Sequence, residues 1–306
     1  MTPFPKLRRE TNHDVRHRQL AVLALLLFFA RGLAEAPAAP TAQEELRAAK
    51  LLETALLARR AGAEETDRLE KIYAALREKY PADAAVRNAH AEFLRGRGEA
   101  ERAGGMWEEA VALDPQNAVA LDHLAGRWLA AGEVKKSAAC YARAVESAPG
   151  NAAYRFAFAN VTFLFRHELS SAAQPDEAAV LAHALADFAA ASRLAPLNPE
   201  YARAYAETFY SVPKPDWSEA LTAWRHFSEI SPQKDFAQAN LARVHMKLGQ
   251  KDAARACLEK IRGAAFQRIK ARLRERIETE SSPAAPPPAP PDFSQKPGID
   301  EPGEPP

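Results

Sequence analysis

PQNAVALDHLAGRWLAAGEVKKSAACYARAVESAP, residues 115–149, decides the fold of this chain. Leu121, Leu124, Ala125 and Trp128 fall at i, i+3, i+4 and i+7, which gathers them on one face of a helix. Gly132 stops that helix, and Ser137, Tyr141 and Ala144 mark one face of a second. Pro149 closes the unit, because proline cannot continue a helix. The same punctuation recurs at Pro81, Pro115, Pro149, Pro196 and Pro232, in steps of 34, 34, 47 and 36 residues. Two residues after each of the first four stands Asp83, Asn117, Asn151 or Asn198, whose side chain can accept hydrogen bonds from the open N–H groups of the next helix. Asp235 follows Pro232 by three and is expected to act likewise. One helical hairpin per proline marks a repeat array.

The neighbouring units fill the same register. The one before supplies His90, Ala91 and Leu94, then Ala103, Trp107 and Ala110. The one after supplies Phe158, Ala159 and Thr162, then Ala184, Phe188 and Ala191 beyond 13 extra residues. Tyr205, Ala206 and Phe209 with Ala220, Trp224 and Phe227 make a fourth; Leu241, Ala242 and His245 with Ala254, Leu258 and Ile261 make a fifth. Leu56, Leu57, Tyr73 and Leu76 suggest a degenerate leading unit. The pattern resembles the tetratricopeptide repeat, W-x2-L-G-x2-Y, then A-x3-F-x2-A, then P. The resemblance runs from about Glu44 to Ile261 and implies an all-α, right-handed superhelical solenoid of antiparallel helix pairs, with about five to six repeats in residues 39–262. In each pair a small residue lets the backbones approach and a large one fills the gap beside it. Trp107, Trp128, Tyr141 and Trp224 are accordingly read as packing residues.

Departures from the pattern carry their own expectations. Gly104-Gly105 inside a helix costs about 1 kcal/mol per glycine relative to alanine and predicts a soft segment. The additions in the third unit surround Leu169 to Asp176, which reads as a loop between two over-long helices. Pro213-Lys-Pro215-Asp216 interrupts the fourth unit. Past Gly263, residues 263–280 read as a capping helix with Phe266, Ile269, Leu273 and Ile277 on one face and Arg268, Lys270, Arg272, Arg274 and Arg276 largely on the others.

The ends differ from this middle. A basic stretch precedes the apolar run of 11 residues from Leu20 to Ala30, and Ala36-Pro-Ala38 has the form read by signal peptidase. Eleven helical residues span about 16 Å, roughly half a bilayer core, which favours a cleaved signal over residues 1–38; a retained anchor is the alternative. The expected location is therefore periplasmic or otherwise in the cell envelope, or else anchored to the inner membrane. Residues 281–306 are rich in Pro and acids and lack the apolar mass to offset ordering entropy, so a disordered tail is expected. Cys140 and Cys257 fall at equivalent places three units apart, too far for a disulfide, and are read as small packing residues.

No catalytic constellation stands out. The eight histidines show no HExxH and no Cys/His grouping at metal spacing, and there is no phosphate loop and no GxSxG. No cofactor and no metal are expected. A formal net charge of +1 gives no bulk argument for nucleic acid, and membrane contact depends on whether the N-terminal segment is retained. The resemblance implies a non-catalytic scaffold whose first helices line a concave groove for a peptide or protein partner. Projected onto this chain, the groove receives Asn88, Glu92 and Arg95, then Asp122 and His123, then Phe156, Asn160 and Phe163. Arg203, Glu207 and Tyr210 follow, then Phe236, Asn240, Arg243 and Met246. Phe156, Phe163, Tyr210 and Phe236 are read as anchors for apolar side chains or as packing, and Asn160 and Asn240 as hydrogen-bonding groups for an extended backbone. The carboxylate clamp of chaperone-binding relatives is absent, since its places hold Asn88, Glu92, His123, Ala153 and Ala157. A rival reading, an enzyme acting on envelope glycan, needs paired carboxylates in a cleft, with Glu92, Asp122 and Glu207 as the candidates.

Overall fold

Four of the cap residues act as their positions predict. Asp83 Oδ1 accepts from the amides of Ala85 and Val86, and Asn117 Oδ1 from Ala120. Asn151 and Asn198 each accept two amides from the turn that follows. Asp235 does something else. Its carboxylate accepts from the amides of Arg262 (3.1 Å) and Gly263 (2.6 Å), tying two segments 27 residues apart rather than capping its own helix. A Cβ on Gly263 would lie 2.5 Å from Asp235 Oδ2, so the glycine permits that approach.

The computed structural model describes residues 40–170 and 176–279. The expected signal, the tail, and residues 171–175 of the third unit's loop lie outside them. The described residues are all helical or connecting, and they divide after His90 into two compact units.

The first unit contains α1 (Ala42–Ala58) and α2 (Ala63–Lys79), which pack together, and the start of α3 (Ala84–Gly96). Thr41 and Glu44 cap α1 reciprocally. Tyr73 is fully buried, stacks on His90 at 5.7 Å, and donates to Glu53 at 2.6 Å. Leu56 is in this core, whereas Leu57 is 70% exposed and turned to solvent.

In the second unit, α4 (Ala100–Leu113), α5 (Ala118–Ala130), α6 (Val134–Ser147) and α7 (Ala152–Leu164) follow in sequence. A short α8 (Arg166–Leu169) leads to α9 (Glu177–Leu194), α10 (Pro199–Thr208), α11 (Trp217–Ile230), α12 (Lys234–Lys247), α13 (Lys251–Glu259) and α14 (Gln267–Thr279). Apart from α8, each of these packs on the next, and α7 packs on α9. With α12 also touching α14, each helix packs only on elements one or two along the chain, the paired, antiparallel arrangement of a helical repeat array. Ala103, Ala125, Ala144, Ala159, Ala184, Ala206, Ala220, Ala242 and Ala254 are fully buried at the small positions of the register. Phe188, Trp224, Phe227 and Leu258 fill the space beside them. Both cysteines are free thiols.

Two expectations about local structure need correction. The third unit does not have two over-long helices: α7 ends at Leu164 after 13 residues, and only α9, at 18, is extended. Gly104 is also more than a weak point, because Arg127 Nε would lie 2.6 Å from a Cβ placed there. The missing side chain lets Arg127 cross α4 to reach Glu101 (2.6 Å) and Glu108 (3.2 Å).

Candidate partner-binding face

In the first part of the second unit, the predicted residues come together around His123. Glu92 pairs with Arg95 at 2.8 Å and with His123 Nε2, and the imidazole stacks on Trp107 with centroids 4.3 Å apart. Burial pushes the Glu92 carboxyl upward, but Arg95 and His123 together outweigh it and hold the group below its ordinary value. Burial raises Asp122, half-buried beside them, and the charge of Glu92 adds to the rise while His123 opposes it. Arg95, Trp107, His123, Gly126, Arg127 and Trp128 are among the residues lining a cavity of about 540 Å³. Trp128 is only half-buried, not a core residue, and its ring lies between Lys136 (4.6 Å) and the Arg127 guanidinium (5.5 Å). Asn88 belongs to the first unit and is half-buried there.

Farther along, the predicted aromatics mainly hold helices together. Phe156 meets Tyr201 at 4.4 Å and Phe188 at 5.6 Å, and Phe163 meets Phe188 at 6.3 Å. Phe236 packs against Trp224 and Phe227, with the Arg203 guanidinium 4.7 Å from its centroid. Arg203 also pairs with Glu207 at 2.9 Å, one turn along α10. Tyr210 is different. Its ring is 40% exposed, while its hydroxyl donates to the Asn240 carbonyl at 3.5 Å. Burial pushes the phenol up to about 12, with Arg243 pulling the other way.

The two asparagines each use an amide hydrogen within their own helix. Asn160 and Asn240 each turn the amide NH2 back onto a carbonyl of their own helix, Phe156 and Phe236, at 3.0 Å. Asn240 is also 3% exposed, and its oxygen accepts from Arg243 at 2.8 Å. What faces open space here is a second cavity of about 400 Å³, lined by Tyr210, Arg243, Met246, Lys247 and Arg276.

The register thus places Arg95 and His123 on one cavity, and Tyr210, Arg243 and Met246 on the other. It misses Trp128 and Arg127, which it reads as packing or leaves unassigned, and it misses Lys247 and Arg276. Lys247 was findable at i+4 from Arg243 on the same helix; Arg276 arrives from α14 and only tertiary packing brings it in. Glu92, Asp122 and Glu207 line neither cavity. Among the described residues, no three His, Cys, Asp or Glu side chains are grouped to hold a metal ion.

No protein-family model matches the chain, and no curated protein matches it. Solved structures do. YrrB, described as a tetratricopeptide repeat protein with an unusual peptide-binding site, is 16% identical and superposes with a TM-score of 0.52, over 66% of this chain and 97% of its own. Pseudomonas aeruginosa PilF is 16% identical, with a TM-score of 0.49 over 78% of this chain and 99% of its own. A tetratricopeptide repeat protein from Parabacteroides merdae is 14% identical, with a TM-score of 0.44 over 77% and 86%. At such identity the likeness to YrrB shows the fold alone: paired helices stacked as in tetratricopeptide repeats.

Proposed function

We propose that this chain, built on the tetratricopeptide-repeat fold, is a non-catalytic scaffold that binds a peptide or protein partner along the face carrying Arg95, His123, Tyr210 and Arg243. One observation carries this reading: positions projected from the repeat register onto one face turn out to line two open cavities. Each cavity combines apolar surface with a few directed polar groups, the composition of a binding site. YrrB, with the same fold, is described as having a peptide-binding site. The glycan-enzyme alternative has less support, because Glu92 and Glu207 are held in ion pairs and neither they nor Asp122 line either cavity.

The finer reading places this scaffold in the cell envelope, delivered there by the segment ending near Ala38. A membrane-anchored assembly factor is the alternative, and no helix among the described residues is long and apolar enough to cross a membrane. Loss of about 4 kDa from the mature protein supports cleavage, whereas an intact N terminus means an anchor.

The test is crosslinking in the cell with a photoreactive residue at position 123 or 210 of the full chain. The same partner captured at both sites, and lost on His123→Ala or Tyr210→Ala with folding intact, supports the reading. Capture indifferent to both substitutions rejects it.

A further inference from the structure

The first helix among the described residues, α1, carries two apolar stripes. Leu46, Ala49 and Leu56 are its buried residues, on the side where α2 packs. A second stripe runs through Ala48, Leu51, Leu52 and Ala55, at i, i+3, i+4 and i+7. All four are exposed, Leu51 by 64% and Leu52 by 40%. Exposed Arg47, Lys50 and Thr54 separate the stripes on one flank, and Glu45, paired with Lys79, separates them on the other. The outer helix of a repeat array ordinarily turns a polar face to solvent. The last helix, α14, does so: it buries Leu273 and Ile277 and exposes Arg272, Arg274 and Arg276. The outer stripe of α1 does not.

This stripe ends in opposite charges. Glu44 extends it one turn before Ala48, and Arg59, the C-cap, one turn after Ala55. Read from either end, the order is charge, Ala, Leu, Leu, Ala, charge, with the sign reversed. Two such helices laid antiparallel about a two-fold axis between Leu51 and Leu52 place Ala48 opposite Ala55 and Leu51 opposite Leu52. The same axis sets Glu44 opposite Arg59 twice, once at each end. Facing alanines let the backbones approach, and the leucines fill the space between them. Within the chain Glu44 caps α1 with Thr41 and Arg59 pairs with Glu65 at 2.5 Å, yet both stay exposed and able to share.

We infer that the outer stripe of α1 is a self-association surface, on which a second copy of this chain docks with α1 antiparallel to α1. Charge selects this occupant. The chain's own apolar run, Leu20 to Ala30, contains no charged residue to answer Glu44 or Arg59, whereas a second copy answers both. The stripe is about 22 Å long, so the paired faces fall at the small end of specific interfaces and the dimer forms in the micromolar range. None of the residues of the partner-binding face takes part, so either reading can fail without the other.

The test is light scattering on the full chain across about 1–300 μM, where the mass should rise from 33.5 kDa toward twice that value. Leu51→Gln with Leu52→Gln should weaken dimerisation at least about tenfold, and it leaves the Thr41–Glu44 cap and the Arg59–Glu65 pair in place. Glu44→Arg and Arg59→Glu should each weaken it alone, because like charges then face each other across the axis. An equimolar mixture of those two variants should dimerise again, since each reversed charge then meets its complement. Circular dichroism confirms that every variant keeps its helices. A photoreactive residue at position 52 should link to α1 of another copy. A parent chain monomeric at every concentration, a dimer indifferent to the Gln pair or to the charge reversals, or reversed variants that stay apart when mixed overturns the inference. So does a link from position 52 to residues 20–30 of the same chain, or to another protein, while the mass stays monomeric.

Discussion

Two cavities lie along one register, and they treat charge in opposite ways. Around the 540 Å³ cavity every cation is answered: Arg95 and His123 by Glu92, Arg127 by Glu101 and Glu108. Around the 400 Å³ cavity Arg243 and Lys247 meet only an amide oxygen and an indole face. The backbone differs in parallel. Residues 91–150 are regular hairpins turned by Gly98 (φ 80°) and Gly132 (φ 78°), and the residue after each glycine donates back across the last turn, Glu99 to Leu94 and Glu133 to Trp128. The second cavity follows a turn in which Lys214, between Pro213 and Pro215, holds a φ of 53°. The hairpin that carries Arg243 and Lys247 is itself turned regularly, by Gly249 (φ 71°) with Gln250 donating back to His245, so turn geometry, even after the rebuilt turn at Lys214, does not alone set how these charges are answered.

Core depth is where this comparison is most easily broken. Trp224→Ala removes a fully buried ring from the cluster with Phe227 and Phe236 and should cost about 4 kcal/mol in urea unfolding. Trp107→Ala should cost about 2 kcal/mol, because that ring already borders a cavity. A reversed order would mean that the regular region, not the rebuilt one, holds the stabilising core.

Ion pairs come next. Arg155 reaches the buried Asp187 at 2.8 Å, so Arg155→Ala leaves that carboxylate with His183 as its remaining charge partner and should cost about 2 kcal/mol. Arg95→Ala breaks a solvent-facing pair and should cost less than about 1 kcal/mol in the same assay.

The turns sharpen the contrast further. Gly132→Ala forces a Cβ into left-handed backbone and should lower stability by about 1 kcal/mol. Lys214→Gly relieves the same strain and should raise it by about 0.5 kcal/mol. If Lys214→Gly destabilises, the rebuilt turn owes its shape to that lysine.

The smallest effect is the pH response of the His183–Asp187 pair within α9. The hydrogen bond to Asp187 raises the His183 pKa above its ordinary 6.5, with burial opposing. The associated stability is complete below pH 6.5 and is lost as pH rises through the folded value. The imidazole is 59% exposed, so the change is slight. Thermal melts at about pH 5.5 and about pH 8 should differ less for His183→Gln than for the parent chain; an unchanged difference would assign the response elsewhere.

Helix existence, the caps at Asp83, Asn117, Asn151 and Asn198, and the buried alanines were legible because each depends on residues within a turn or two, or on a repeated spacing. Asp235 looked like another cap and was not, since its partners are the Arg262 and Gly263 amides and nothing in its own turn reveals them. Asn160 and Asn240 occupy groove positions, yet each amide finds a carbonyl one turn back in its own helix before any ligand arrives. Trp128 shares the spacing of Leu121, Leu124 and Ala125, and spacing does not reveal which end of a packed face opens onto a cavity.

The amino-acid sequence by itself determined a helical repeat array and its paired helices, and it marked a set of first-helix positions of which Arg95, His123, Tyr210, Arg243 and Met246 line cavities. Proline, cap and small-residue positions act through short-range sterics and hydrogen bonds, which local order transmits faithfully. Tertiary structure alone decided which of those residues stay open. Arg95 is answered by a carboxylate one turn earlier, while Arg243 and Lys247 are joined by Arg276 from the last helix. Charge balance depends on distances between segments tens of residues apart, and the fold sets those distances.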